Sequence, residues 1–123
     1  MKPNLDWVND WKVGNNPKNE EHIGTELFLI FYKFWEELDL DNKSKTTKRR
    51  YYNALHCLGG FLVEEYSSSI DNIETIEMLK YELSEDEGPL IHHDDETWQK
   101  EIDLVSRKLY KYIISYRDRN GHR

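Results

Sequence analysis

The sequence predicts an all-α fold, a single domain of about four antiparallel helices, and three observations lead to this prediction. Apolar residues recur every three or four positions over four long segments, as they do along one face of an amphipathic helix. Turn-forming residues separate these segments, and no segment shows the alternation of apolar and polar residues that is typical of a strand. The length of 123 residues suits one domain.

The composition indicates a folded chain. Charged residues make up 33% of it and hydrophobic residues 37%, but the aromatic content of 13% is higher than in disordered chains. No apolar run resembles a signal peptide or reaches the roughly 20 residues of a membrane span. We therefore expect a cytoplasmic protein without a membrane partner.

Residues 1–16 form an N-terminal segment in which one or two helical turns are predicted from Leu5, Trp7, Val8 and Trp11, and the two tryptophans are expected to pack on the domain. Pro17 then marks the start of a helix over 17–40, because proline tolerates the first helical position. A wide apolar stripe predicts deep burial of this helix. Its members are Ile23, Leu27, Phe28, Ile30, Phe31, Phe34, Trp35 and Leu38.

The second helix is predicted over 44–66, where the side chain of Ser44 can accept a hydrogen bond from the backbone N–H of Thr47. Its expected core face contains Tyr51, Leu55, Leu58, Leu62 and Tyr66. Gly59 and Gly60 interrupt this helix at a cost of about 1 kcal/mol each relative to alanine. Close approach of a neighbouring helix is the favoured explanation, with a hinge or a phosphate loop as the alternative.

The third helix is predicted over 71–83 and starts with the capping-box spacing of Asp71 and Glu74. Its inward residues are expected to be Ile73, Ile76, Leu79 and Leu83. An acidic turn containing Gly88 ends this part of the chain.

The last helix is predicted over 94–117 and begins at Asp94 or Asp95, whose carboxylates suit the positive end of the helix dipole. Its apolar positions repeat by four and three along its whole length, which predicts one inward face. These positions are Trp98, Ile102, Val105, Leu109, Tyr112 and Tyr116.

The net charge of −7 is unevenly distributed along the chain. Residues 1–70 contain 9 basic and 11 acidic residues, residues 71–103 contain 2 and 12, and residues 104–123 contain 6 and 1. A protein that coats nucleic acid needs net positive charge to release counterions from phosphates. The overall charge argues against a protein that coats nucleic acid along its length. Nucleic-acid binding would then have to use a local basic patch.

One basic cluster surrounds the start of the second helix and consists of Lys43, Lys45, Lys48, Arg49 and Arg50. A cation near a helix N-terminus costs about 0.3–1 kcal/mol at low salt, so an anion is expected nearby. The favoured anions are the acids at the end of the preceding helix, namely Glu36, Glu37, Asp39 and Asp41. A nucleic-acid phosphate is the alternative.

The second helix and the aromatic amphipathic helix before it resemble a known DNA-binding domain. Ser44, Thr47, Tyr51, Leu55 and Leu62 are spaced as in the N-terminal core-binding domain of tyrosine recombinases. The resemblance covers residues 23–66 and implies a helical domain that clamps DNA.

A metal site is not expected at His92 and His93, although acidic residues surround them. Side chains one position apart diverge, whereas zinc ligands are usually separated by two to five residues. The single cysteine, Cys57, lies in a helical pattern and is expected to be a buried, inert thiol. We therefore predict no metal and no other cofactor.

The sequence indicates an interaction protein rather than an enzyme. Walker A, G-x-G-x-x-G, G-x-S-x-G, H-E-x-x-H and paired C-x-x-C motifs are absent, and most acids of the long helices are expected to face outward. The leading hypothesis is a small helical interaction or accessory protein that binds a protein partner, or a second copy of itself, through its surface. The alternative is a small DNA-associated module that uses the basic cluster at 43–50.

Overall fold

The computed structural model describes residues 1–68, 74–84 and 86–119, with the backbone alone for 116–119. This part of the chain is helical and contains no strand, which confirms the all-α class. Its α-helices are α1 Asp6–Asp10, α2 Pro17–Glu37, α3 Lys45–Tyr66, α4 Thr75–Glu82 and α5 Glu96–Arg119, and a 3-10 turn spans Leu40–Asn42.

The chain forms two compact units, Met1–Thr75 and Ile76–Arg123, and each is described by itself. The assignment of all the helices to one domain, residues 1–123, stays a prediction.

In the first unit, α2 and α3 pack against each other in antiparallel directions. Asn19, near the start of α2, donates a side-chain hydrogen bond of 2.9 Å to the carbonyl of Ser67 at the end of α3. At the other end, the ring of Phe34 lies 6.1 Å from the ring of Tyr51. The buried apolar side chains of the two helices are Ile23, Leu27, Phe31, Phe34, Trp35, Tyr51, Ala54, Leu55, Leu58, Leu62 and Val63. Most of the predicted stripe is therefore buried.

The short helix α1 packs on the long helices through tryptophan. Trp7 and Trp11 are both buried, as predicted. A Cβ atom on Gly59 would overlap the indole of Trp11, and one on Gly60 would lie 3.3 Å from the same ring. The glycine pair therefore allows the close approach that the sequence favoured, although the approaching group is the indole of Trp11, the residue that follows the short helix α1.

The loop between α1 and α2 is held by Glu20, which is buried although the acids of the long helices were mostly expected to face outward. Its carboxylate accepts backbone N–H hydrogen bonds from Val13, Gly14 and Asn15 at 3.2–3.3 Å. Gly14 has a φ of 86°, which glycine adopts at little cost. Burial acts to raise the pKa of Glu20, but these hydrogen bonds outweigh it, and the pKa is lowered.

Helix α2 ends at Glu37, three residues before the predicted end of 17–40. Asp39 has a φ of 53°, a left-handed conformation that a helix cannot continue through. The side chain of Asn42 donates to the carboxylate of Asp39 at 2.7 Å and closes the following 3-10 turn. Leu40 is buried in this turn rather than in the helix.

The second unit contains most of α4 and all of α5. Helix α4 begins at Thr75, after the predicted start at 71, because the described residue Glu74 is not helical. The predicted cap by Asp71 and the inward position of Ile73 lie outside the described residues. Helix α5 starts where the aspartates predict it, because the carboxylate of Asp95 accepts the backbone N–H of Trp98 at 3.1 Å. The buried apolar residues of this unit are Met78, Leu79, Leu83, Ile102, Val105, Leu109 and Ile113.

The prediction that Trp98 belongs to the inward face of α5 is wrong, because 44% of its surface is exposed. Ile102, Val105 and Leu109 are buried as predicted, and the inward face continues at Ile113. Trp98 lies in the first turn of the helix. The segment before this turn is hydrogen-bonded to Gln99, the residue after Trp98. The indole is therefore left at the surface.

Candidate functional site

The basic cluster lies at the start of α3, as predicted. Ser44 caps the helix, since its hydroxyl accepts the backbone N–H of Thr47 at 3.2 Å. Lys43, Lys45 and Arg49 are exposed. Three cationic side chains of the cluster are therefore presented to solvent around the N-terminal end of a 22-residue helix.

Two of the four acids that were expected to neutralise this cluster, Asp39 and Asp41, have hydrogen bonds outside it. Asp41 accepts a 2.8 Å hydrogen bond from the indole N–H of Trp35 and a 3.3 Å hydrogen bond from the ammonium of Lys2. The contact with Trp35 is the main cause of the lowered pKa of Asp41, followed by Lys2 and by the more distant charge of Lys48. Asp41 is thus tied to the N-terminal segment and to α2.

Within the described part of the chain, Lys43, Lys45 and Arg49 form no ion pair. Lys48 is half-buried and acts on Asp41 only as a nearby charge. Arg50 is also half-buried and lies near Tyr51. Burial raises the pKa of Tyr51, and the charge of Arg50 opposes this rise. The cluster therefore divides into three solvent-facing cations and two that lie against the fold.

The histidine pair lies just before α5. The ring of His92 packs 5.8 Å from the indole of Trp98, and its Nε2 atom is buried without a hydrogen-bond partner in the described structure. His93 is exposed. Among the described residues, no group of three or more His, Cys, Asp or Glu side chains could hold a metal ion. Cys57 is half-buried, and burial raises the pKa of its thiol, which disfavours the reactive thiolate.

The side chain of Gln99 holds the segment before α5 against the helix. Its Oε1 atom accepts the backbone N–H groups of Ile91 and His92 at 3.0 and 2.9 Å. Its Nε2 atom donates to the carbonyl of Pro89 at 2.9 Å and to Asp103 at 3.0 Å. Three of these four hydrogen bonds thus position the residues on both sides of Leu90.

Leu90 and His92 lie in the segment before α5 and Trp98 in its first turn, and we call these three residues the Trp98 patch. Leu90 is 60% exposed, and Trp98 packs on His92 with 44% of its surface exposed. The sequence pattern did not predict this patch, because helical spacing placed Trp98 in the core. A local signal could have indicated it, because Trp98 lies in the first helical turn, shortly after three consecutive acids.

Comparisons with protein-family models, curated proteins and solved structures gave no match for this chain. None of the described helices is long and apolar enough to cross a membrane. Function is therefore inferred from the two surfaces described above, the Trp98 patch and the basic cluster.

Proposed function

We propose that this chain is a non-enzymatic interaction protein that binds a partner protein through the Trp98 patch. The observation that carries this proposal is the exposure of Trp98, in the first turn of α5, and of Leu90, on the preceding segment that Gln99 holds in place. Tryptophan is among the residues that contribute most to binding energy at protein interfaces. A single exposed apolar side chain is ordinary, but a tryptophan packed on the His92 ring, with an exposed leucine two residues before that histidine in the chain, is a better anchor.

The hydrogen bonds of Gln99 support the proposal in a second way. Association costs free energy when loops and side chains must be ordered, and a surface that is already ordered avoids part of this cost. The backbone on both sides of Leu90 is fixed by Gln99, and the indole of Trp98 is restrained by the His92 ring. The patch therefore offers its apolar surface with little further ordering.

A photo-crosslinking amino acid with an aromatic side chain, placed at position 98 so that an aromatic ring remains at the anchor, tests this proposal. The matched control carries the same amino acid at position 81, because Tyr81 is 82% exposed and lies on α4. In an extract of the source organism, we expect a discrete adduct at position 98. Excess wild-type protein should suppress this adduct because it competes for the partner, and excess Trp98→Ala protein should not. Equal adducts at positions 98 and 81, or no adduct at position 98, would contradict the proposal.

The second candidate function is binding of nucleic acid through the basic cluster. It is favoured by the exposure of Lys43, Lys45 and Arg49 and by their lack of ion pairs in the described structure. Each phosphate contact adds about one unit to the slope of log affinity against log salt. An electrophoretic shift assay at two salt concentrations therefore tests this function directly.

The test compares two variants with the same net charge. In the first, Lys43, Lys45 and Arg49 are changed to glutamine, and in the second the exposed lysines of α5 are changed instead, at positions 100, 108 and 111. We expect only the first variant to lose DNA retention and salt dependence. Equal losses in both variants would show that overall charge is responsible, and absence of binding by the wild type would exclude the candidate.

A further inference from the structure

The stretch of sequence around the Trp98 patch is acidic. Residues 94–101 contain four acidic residues and one basic residue. Asp94 and Glu96 are exposed and form no ion pair in the described structure. Carboxylates without a cationic partner therefore lie within four residues of Trp98 in the chain.

We propose that the Trp98 patch binds a partner segment that has an apolar side chain flanked by lysine or arginine. This inference rests on the proposed function and adds the chemistry of the partner. The apolar side chain would pack between Trp98 and Leu90, and the flanking cations would lie near Asp94 and Glu96. An arginine next to the indole gains a further cation–π attraction. Complementary charge also accelerates the encounter of the two surfaces.

Charge argues against the other occupants of this patch. In a symmetric dimer formed through the patch, each copy would bring its own Asp94 and Glu96 against those of the other, because both partners use the same surface. Juxtaposed like charges cost free energy at an interface. Nucleic acid and anionic lipid would meet the same repulsion. A cationic protein segment is the one class of occupant whose charge the patch complements.

A pair of short labelled peptides tests the inference. The probe is an amphipathic peptide of leucine and lysine, and the control peptide has glutamate in place of every lysine. Fluorescence anisotropy at low and high salt measures the binding of each peptide to the full chain. We expect the lysine peptide to bind and to weaken with salt, and the glutamate peptide not to bind. Equal binding of the two peptides would overturn the inference.

Variants of the full chain identify the surface that binds. We expect Trp98→Ala and Leu90→Ser each to weaken binding of the lysine peptide by about tenfold, as loss of an interface anchor does. The double variant Asp94→Asn, Glu96→Gln should weaken it by about threefold and reduce its salt dependence, because exposed ion pairs contribute modestly. Tyr81→Ala should bind like the wild type. Unchanged binding by the double variant would contradict the charge argument even if either anchor variant failed to fold.

The crosslinking experiment separates this inference from the proposed function. If the adduct at position 98 forms but the crosslinked partner segment has no excess of lysine and arginine, the partner chemistry is wrong and the proposed function stands. If no adduct forms at that position, the proposed function itself is wrong. An adduct on a segment rich in lysine or arginine supports both.

Discussion

The indole N–H of Trp11 donates a 2.8 Å hydrogen bond to the backbone carbonyl of His56 on α3. This bond fixes the indole across Gly59 and Gly60, and the ring also lies 6.2 Å from that of Phe31 on α2. The short helix α1 is thereby anchored to both long helices of its unit. A buried indole with a satisfied N–H contributes packing without leaving a polar group unpaired.

We predict that Gly59→Ala destabilises the protein by about 1–3 kcal/mol, as overpacking of a core does. The new methyl group would overlap the indole of Trp11, and this cost exceeds the gain of about 1 kcal/mol in helix propensity. Gly60→Ala is the matched control, because its methyl group would lie 3.3 Å from the same ring and should change stability much less. Chemical denaturation measures both variants. A more stable Gly59→Ala variant would mean that the indole can move away.

Glu20→Gln should lower the melting temperature at neutral pH, because an amide replaces the carboxylate that accepts three backbone N–H groups. The pKa of Glu20 is lowered from 4.5 in the folded chain, so the folded state binds the proton less readily than the unfolded state. The Glu20 carboxylate therefore contributes its full stabilisation when the pH is above the ordinary pKa of 4.5. This stabilisation is lost as the pH falls through the lower pKa of the folded state.

Thermal denaturation from neutral to acidic pH checks this dependence. The difference between the wild type and Glu20→Gln should stay constant down to about pH 5 and shrink below it. Glu36→Gln, an exposed acid near the end of the same helix, is the control and should show no such loss. A difference that grows with acidity would contradict the assigned role of Glu20.

Phe34→Ala should cost about 3–5 kcal/mol, as truncation of a fully buried aromatic side chain does. Trp98→Ala should cost less, since nearly half of the indole is already in water. Unfolding in denaturant gives both values from the same experiment. Equal costs would mean that Trp98 is as deeply buried as its helical spacing first suggested.

Ser106→Ala should leave stability unchanged or raise it by about 1 kcal/mol. The hydroxyl of Ser106 is buried and has no hydrogen-bond partner in the described part of the chain, so its removal relieves an unpaired polar group. By contrast, Gly88→Ala should be destabilising, because the added methyl group would overlap the side chain of Ser106. A clear loss of stability in Ser106→Ala would show that the hydroxyl is hydrogen-bonded.

Lys45→Gln should raise stability by about 0.3–1 kcal/mol at low salt, because it removes a cation from the first turn of α3. The gain should vanish at high salt, where charges are screened. Lys111→Gln, an exposed lysine within α5, is the control. Reduced stability of the Lys45 variant would show that this lysine is neutralised internally, as the sequence first favoured.

Local sequence patterns predicted the helical class and most of the core. The spacing of Leu55, Leu58 and Leu62 identifies a buried helix face because side chains three and four positions apart share a face. Pro17 and Ser44 marked helix starts correctly, since the groups that begin a helix lie within one turn of each other. These features depend on neighbours in sequence and can be read from it.

The contacts of the candidate sites could not be read in this way. Helical spacing identifies the residues that share a face of a helix, but it does not say how much of that face is buried by other segments. Trp98 lies at the end of the apolar face of α5 and is exposed. The acid nearest the basic cluster, Asp41, was expected to neutralise it. Lys2, 39 residues earlier in the chain, also contacts that carboxylate, and a count of neighbouring charges in the sequence does not reveal such a contact.

The sequence by itself determined that the chain is helical and where α2 and α3 begin, and it favoured a close neighbour for the glycine pair. Only the tertiary structure decided that this neighbour is Trp11, that the carboxylate of Glu20 is buried under a loop, and that Trp98 is exposed. The physical reason is the range of the interactions. Helix propensity and capping act within one turn, whereas burial and hydrogen bonding depend on which distant segments the folded chain brings together.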